Sequence, residues 1–235
     1  MNQHNSFKLG FKKAMPIALG YFPVSFTFGI MASSGGIDPI MATIISLTNF
    51  TSAGQFAGTQ LMLMNGPLLE IAVTTFVINI RYMLMSLAIS QKLVPMSLLQ
   101  KCILAFGITD ETFALASLEK DKISFLHMLG IIIGPYIGWG LGTFCGAFAS
   151  SLLPLALQEA MGIALYAMFI ALIVPEMRKS RAVLLVVGLT IIVSIIFWYI
   201  PIFASLTEGW KIILTTLIGS AIGAWLFPIK EEDYT

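Results

Sequence analysis

Arg81 sits near the middle of an otherwise apolar run, between Asn79 and the string Tyr82, Met83, Leu84, Met85. A cation at the centre of a lipid-spanning helix costs roughly 2.5–3.5 kcal/mol on insertion scales, so it requires a partner or a watery cavity. The guanidinium fork matches the two oxygens of a carboxylate, which makes Arg81 a candidate clamp for a substrate acid group. An internal pair with Asp110, Glu111 or Glu70, or a cap on the carbonyls of a broken helix, answers the same need. The readings are compatible if a substrate displaces the internal partner.

A second group lies at 49–60, where an apolar stretch is interrupted by Asn49, Thr51, Ser52, Gly54, Gln55 and Gly58. Polarity with two glycines predicts an unwound helix, tolerated at membrane depth only where protein or a wet cavity satisfies the backbone. A half-helix starting near Ala53 would turn its positive end toward a carboxylate, and freed carbonyls would suit an ammonium group. Together they describe a site for an amino-acid zwitterion, lined by Arg81, Asn49, Thr51, Ser52, Gly54, Gln55 and Asn79. The alternative is that these side chains only join helices by hydrogen bonds. Asp110 and Glu111 are adjacent acids in a mostly apolar segment. Neighbouring carboxylates in a low-dielectric site resist ionising together, so either is a candidate to carry a coupled proton, unless both are solvated at the interface.

The elements that hold these residues are membrane helices. Of 235 residues 57% are hydrophobic and 11% charged, with a net charge of +1. Five charge-free stretches run from 18 to 36 residues, against about 20 needed to cross the hydrocarbon. Disorder, a secreted disulfide scaffold and a nucleic-acid binder are excluded. Spans are predicted at 14–32, 71–90, 124–152, 162–174, 182–200 and 212–227, with broken or re-entrant segments near 40–64 and 103–118. The expected fold is thus an all-α integral membrane protein, a single polytopic domain over 1–235 with six to eight spans. Lys8, Lys12 and Lys13, then Lys92 and Lys101, Lys120 and Lys122, and Arg178, Lys179 and Arg181 all fall on one side if both odd segments are re-entrant. Since short cytoplasmic loops are enriched in Lys and Arg, the basic N-terminus 1–13 and the tail 229–235 are both expected in the cytoplasm. Glycines four apart, at 130, 134, 138 and 142 and at 219 and 223, predict close helix packing. The string from Gly29 to Ser34 resembles that from Gly146 to Ser151, 117 residues on.

The sequence resembles the large subunit of bacterial branched-chain amino-acid exporters, the AzlC/YgaZ-like family. The resemblance is carried by the opening Ala14, Met15, Pro16, Ile17, Ala18, Leu19, Gly20, Tyr21, Phe22, Pro23 and by Ser52, Ala53, Gly54, Gln55, Phe56. Asn79, Ile80, Arg81, Tyr82, Met83, Asp110, Glu111, Thr112, Phe113, and Ala167 to Ile170 before Pro175 add to it. It implies a bacterial inner-membrane permease that exports leucine, isoleucine, valine and methionine, with a small AzlD/YgaH-like membrane subunit as partner. Family members commonly carry histidine where this chain has Tyr82. With no nucleotide-binding motif and no cofactor implied, energy is expected from an ion gradient. A channel, a non-transporting scaffold for the partner, and a membrane-embedded hydrolase are the rival readings. The hydrolase lacks a histidine pair or phosphate cradle.

Overall fold

The computed structural model describes residues 6–154, 156, 170 and 173–228. Its helices are α1 (Phe7–Ser34), α2 (Pro39–Thr48), α3 (Ala53–Leu63), α4 (Leu68–Lys92), α5 (Leu98–Phe106), α6 (Asp110–Ser117), α7 (Phe125–Ala149), α8 (Arg181–Tyr199) and α9 (Glu208–Leu226). Among the described residues α1, α4, α7 with its extension to Leu152, α8 and α9 are long and apolar enough to cross a bilayer. Most of the span expected at 162–174, the run from Ala167 to Phe169 and the C-terminal tail lie outside the described residues. The protein is an all-helical membrane protein, as its composition requires.

The core is a seam between α1 and α7. A Cβ at Gly130 would meet the backbone of Phe7, one at Gly138 that of Ala18, one at Gly142 that of Phe22 and one at Gly146 that of Phe26. Both numbers rise together, so the two helices run parallel, with backbones in contact at these four glycines, while Gly134 packs on the Phe11 ring. The two similar strings meet there as well, because Gly29 lies against Gly146 and Ala147.

Both odd segments are hairpins of two short helices, and they enter from opposite ends of α1. The hairpin α2–α3 begins four residues beyond the end of α1 and returns to it, placing Leu63 against Gly35. Its tip reaches the middle of α1, where Phe50 and Tyr21 ring centroids are 5.9 Å apart. The hairpin α5–α6 begins and ends at the other face: Lys92 Nζ, at the end of α4, donates to Ser117 O at 2.6 Å and Glu119 O at 3.0 Å. Its tip also reaches Tyr21, through a 2.7 Å bond to Thr109 Oγ1. Between the hairpins α4 runs opposite to α1, passing Gly58 with Ile71 and Thr75 and Gly54 with Asn79. The units 7–63 and 68–117 are therefore each a spanning helix followed by a hairpin, the second inverted relative to the first. With both hairpins re-entrant, the basic residues Lys13, Lys92 and Lys122 gather at one end of the molecule.

The breaks are built from the residues that predicted them. At 49–52 the chain leaves helical geometry at Asn49, and Ser52 adopts a positive φ of 52°. The carbonyls released are taken up by tyrosines: Tyr136 Oη donates to Leu47 O at 2.9 Å and Tyr82 Oη to Thr51 O at 3.0 Å. At 107–109 a Cβ on Gly107 would strike the Ile132 side chain, and Thr109 caps α6 in a reciprocal box with Thr112. Glu70 is buried and accepts the Gly209 amide at 2.6 Å, so it caps α9 rather than meeting Arg81.

A charged clamp holds the foot of the second hairpin. Glu119 Oε1 accepts from Lys13 Nζ at 2.6 Å and lies 3.1 Å from Nε2 of buried His127, whose Nδ1 faces Ser6 O. Partial burial pushes the Glu119 carboxyl up, but the hydrogen bonds from Lys13 and His127 outweigh it and hold the group below the usual carboxylate range. A carboxylate with a depressed folded pKa stabilises the fold above its unfolded value, about 4.3, and loses that contribution as pH falls through the folded value. The melting temperature of the detergent-solubilised protein is thus expected to drop below about pH 4.5 more steeply in wild type than in Glu119→Gln. Equal slopes would remove the clamp from the account.

Candidate functional site

Where the two hairpin tips meet, a cavity of about 500 Å³ opens between α1, α4 and α7, within the size range of small-molecule sites. The first tip contributes Phe50, Thr51, Ser52 and Ala53, and the second Thr109, Asp110 and Glu111. The spanning helices add Tyr21, Arg81, Tyr82 and Trp139, with Ile173 and Glu176 on a helical stretch that precedes α8.

Arg81 is the cation of this cavity. Its Nη2 lies 3.0 Å from Asp110 Oδ2 and donates to Tyr82 Oη at 3.2 Å, while Nε is buried with no hydrogen-bond partner. A guanidinium has five N–H donors in a fixed fork, so this one retains donors that a carboxylate could accept. The pair with Asp110 is an internal partner of the kind the sequence allows. Both side chains are about two-fifths exposed, so the pair is not sealed inside the protein.

The two helix starts facing the cavity differ. α6 is capped at Thr109, whereas α3 has no side-chain cap at Ser52. The first amides of a helix have no intrahelical acceptor and carry its positive end, so Ser52 and Ala53 present that end to the cavity beside Arg81. On the opposite wall the Tyr21 hydroxyl bonds Thr109 Oγ1 and the Glu111 carboxylate. Among the described residues, one arginine against Asp110, Glu111 and Glu176 gives a formal charge of −2 with every group ionised. A cavity of that charge takes up a cation or a proton more readily than an anion.

Of the residues singled out by sequence, Arg81, Thr51, Ser52, Asp110 and Glu111 share this cavity. Asn49 is one position back, where its Oδ1 accepts from Thr51 Oγ1 at 2.8 Å and shapes the tip. Gly54 and Asn79 pack on each other, and Asn79 Oδ1 is buried with no hydrogen-bond partner. Gln55 is turned into the core, receiving Trp139 Nε1 at 3.0 Å and donating to Ser46 Oγ at 2.8 Å, which in turn meets Thr143 at 2.6 Å. The neighbouring Phe50 lines the cavity, while Phe56 of α3 packs edge-on to Phe28. Sequence reasoning missed Tyr21, Thr109 and Glu176. For Tyr21 and Thr109 the signal was present as hydroxyls within otherwise apolar segments.

A family profile described as "AzlC protein" matches residues 16–153, a stretch that holds both hairpins and every cavity residue named above except Ile173 and Glu176. The chain is 34% identical over 174 residues to an uncharacterized membrane protein of Archaeoglobus fulgidus, covering 73% of this chain and 76% of the relative. It is 29% identical over 186 residues to the inner membrane protein YgaZ of Escherichia coli, covering 75% and 76%. An uncharacterized membrane protein of Helicobacter pylori is 26% identical over 180 residues, covering 74% and 77%. No solved structure matches.

Proposed function

Because this chain belongs to the AzlC family of membrane proteins, we propose that it is a secondary transporter exporting branched-chain amino acids, namely leucine, isoleucine and valine, with methionine accepted as well. The observation that carries the proposal is Arg81, with an unpartnered buried Nε, beside the uncapped start of α3 in a cavity at the middle of the membrane helices. Both groups suit a carboxylate. The acids Asp110 and Glu111 suit the ammonium group and, in the cycle, a coupled proton. In this reading the substrate carboxylate competes with Asp110 for Arg81, and the acid so released takes up the proton. The inner bacterial membrane, cytoplasmic termini and a small AzlD/YgaH-like subunit belong to the same proposal. The gathering of Lys13, Lys92 and Lys122 at one end supports the orientation, since that end carries the basic loops.

Purified protein in liposomes, with and without the small subunit, tests the reading with labelled leucine. Saturable uptake and counterflow are expected of a carrier, whereas a channel gives flux without counterflow. If neither preparation moves a branched-chain amino acid, the proposal fails. Asp110→Asn and Glu111→Gln are expected to flatten the pH dependence of transport, by the variant that removes the coupling acid. Wild-type pH profiles in both would withdraw proton coupling from this pair.

A further inference from the structure

Beside the main cavity lies a smaller one of about 220 Å³ that shares Tyr21, Ser52, Glu111 and Trp139 with it. The rest of its wall is Ile17, Gly20 and Val24, all on α1. The two spaces differ in chemistry. The main cavity holds Arg81 and Asp110, whereas the ionisable groups of the side pocket, Tyr21 and Glu111, are bonded to each other. Trp139 uses its indole N–H on Gln55, so the surface it adds is apolar ring. Ile17 and Val24 are one turn to either side of Gly20 on the same face of α1. Gly20 itself is exposed, and a Cβ there would meet nothing within 4 Å. Gly130, Gly138, Gly142 and Gly146 of α7 are needed for close backbone contact with α1, but nothing of that kind occupies Gly20.

Resting on the transporter reading, we infer that this pocket receives the aliphatic side chain of the substrate, and that Gly20 sets how large a side chain enters. Binding then divides along chemical lines. The charged end of the amino acid lies at Arg81 and the start of α3, and the branched hydrocarbon turns away from the acids toward Ile17, Gly20 and Val24. Apolar pockets discriminate by size through the methylenes they can accept. The space before Gly20 is where added side-chain atoms would exclude a longer substrate without moving the backbone.

Competition of unlabelled alanine, valine, leucine and phenylalanine against labelled leucine, in the same liposomes, tests this. Gly20→Val is expected to lower the preference for leucine over alanine by about 10-fold. Ile17→Ala and Val24→Ala are expected to shift preference the other way, toward phenylalanine. If Gly20→Val does not yield folded protein, the two enlarging variants decide. Leucine transport by wild type with unaltered preference in the folded variants overturns the subsite alone, and is also the result if a lipid chain fills the pocket. A wild type that moves no aliphatic amino acid overturns the transporter reading and the subsite with it.

Discussion

Arg81→Lys is expected to lower leucine transport about 100-fold while leaving membrane insertion and melting close to wild type. The substitution keeps the positive charge, so the ion pair with Asp110 can re-form. What it removes is the planar fork, including the Nε that has no internal partner, and the stacking of the guanidinium carbon 5.0 Å from the Tyr82 ring centre. Hydrogen bonds to charged groups contribute about 1.5–3 kcal/mol each, and one or two lost from a bound carboxylate give this size of effect. Counterflow at sub-saturating leucine, together with a melting curve of the same preparation, measures it. Wild-type transport in Arg81→Lys would reduce the arginine to a structural ion pair.

The other large effect belongs to the seam of α1 and α7. Gly146→Val should lower the melting temperature by roughly 10 °C or prevent accumulation of monodisperse protein, because its Cβ falls on the Phe26 carbonyl and the helices must separate. Gly188→Val, on α8, is the matched control: nothing lies within 4 Å of its added Cβ, so a shift of at most a degree or two is expected. If the two variants melt alike, close glycine packing does not hold the core.

Much of this was readable before any coordinates. The broken segments announced themselves because Asn49, Thr51, Ser52 and the pair Asp110 and Glu111 have no reason to sit in an apolar run unless the backbone there is satisfied by protein. Arg81 was legible on the same energetic ground. The glycine spacing in α7 foretold a close helix contact, but not its partner or the parallel sense, which depend on residues about 120 positions away. Gln55 shows where sequence stops: it shares the polar segment with Thr51 and Ser52, yet the rotation of α3 turns it to Trp139 and Ser46. That rotation is set by packing, since α3 has polar or small residues on several faces. Tyr21 was obscured by its type, because a tyrosine in a membrane helix is as readily an interfacial anchor as a buried hydrogen-bond donor. The bond from Tyr82 to Thr51 gives the residue after the arginine a structural task, closing a carbonyl that the broken helix leaves open.

The parallel seam also orders events during synthesis. The contacts of α1 at Phe7, Ala18 and Phe26 are with Gly130, Gly138 and Gly146, so α1 enters the bilayer about 120 residues before its partner exists. At translation rates of about 5–20 residues per second that interval is roughly 6–24 s. Both hairpins are made within this wait. α2, α3, α5 and α6 have 10, 11, 9 and 8 residues, too few for any one of them to cross on its own. Their polar tips at 49–52 and 107–109 are closed by Tyr136 of α7, by Tyr82 of α4 and by Tyr21 of α1. Tyr21 and Tyr82 precede α7 in the chain, so of these three closing bonds only the one from Tyr136 to Leu47 O waits for α7 to be made.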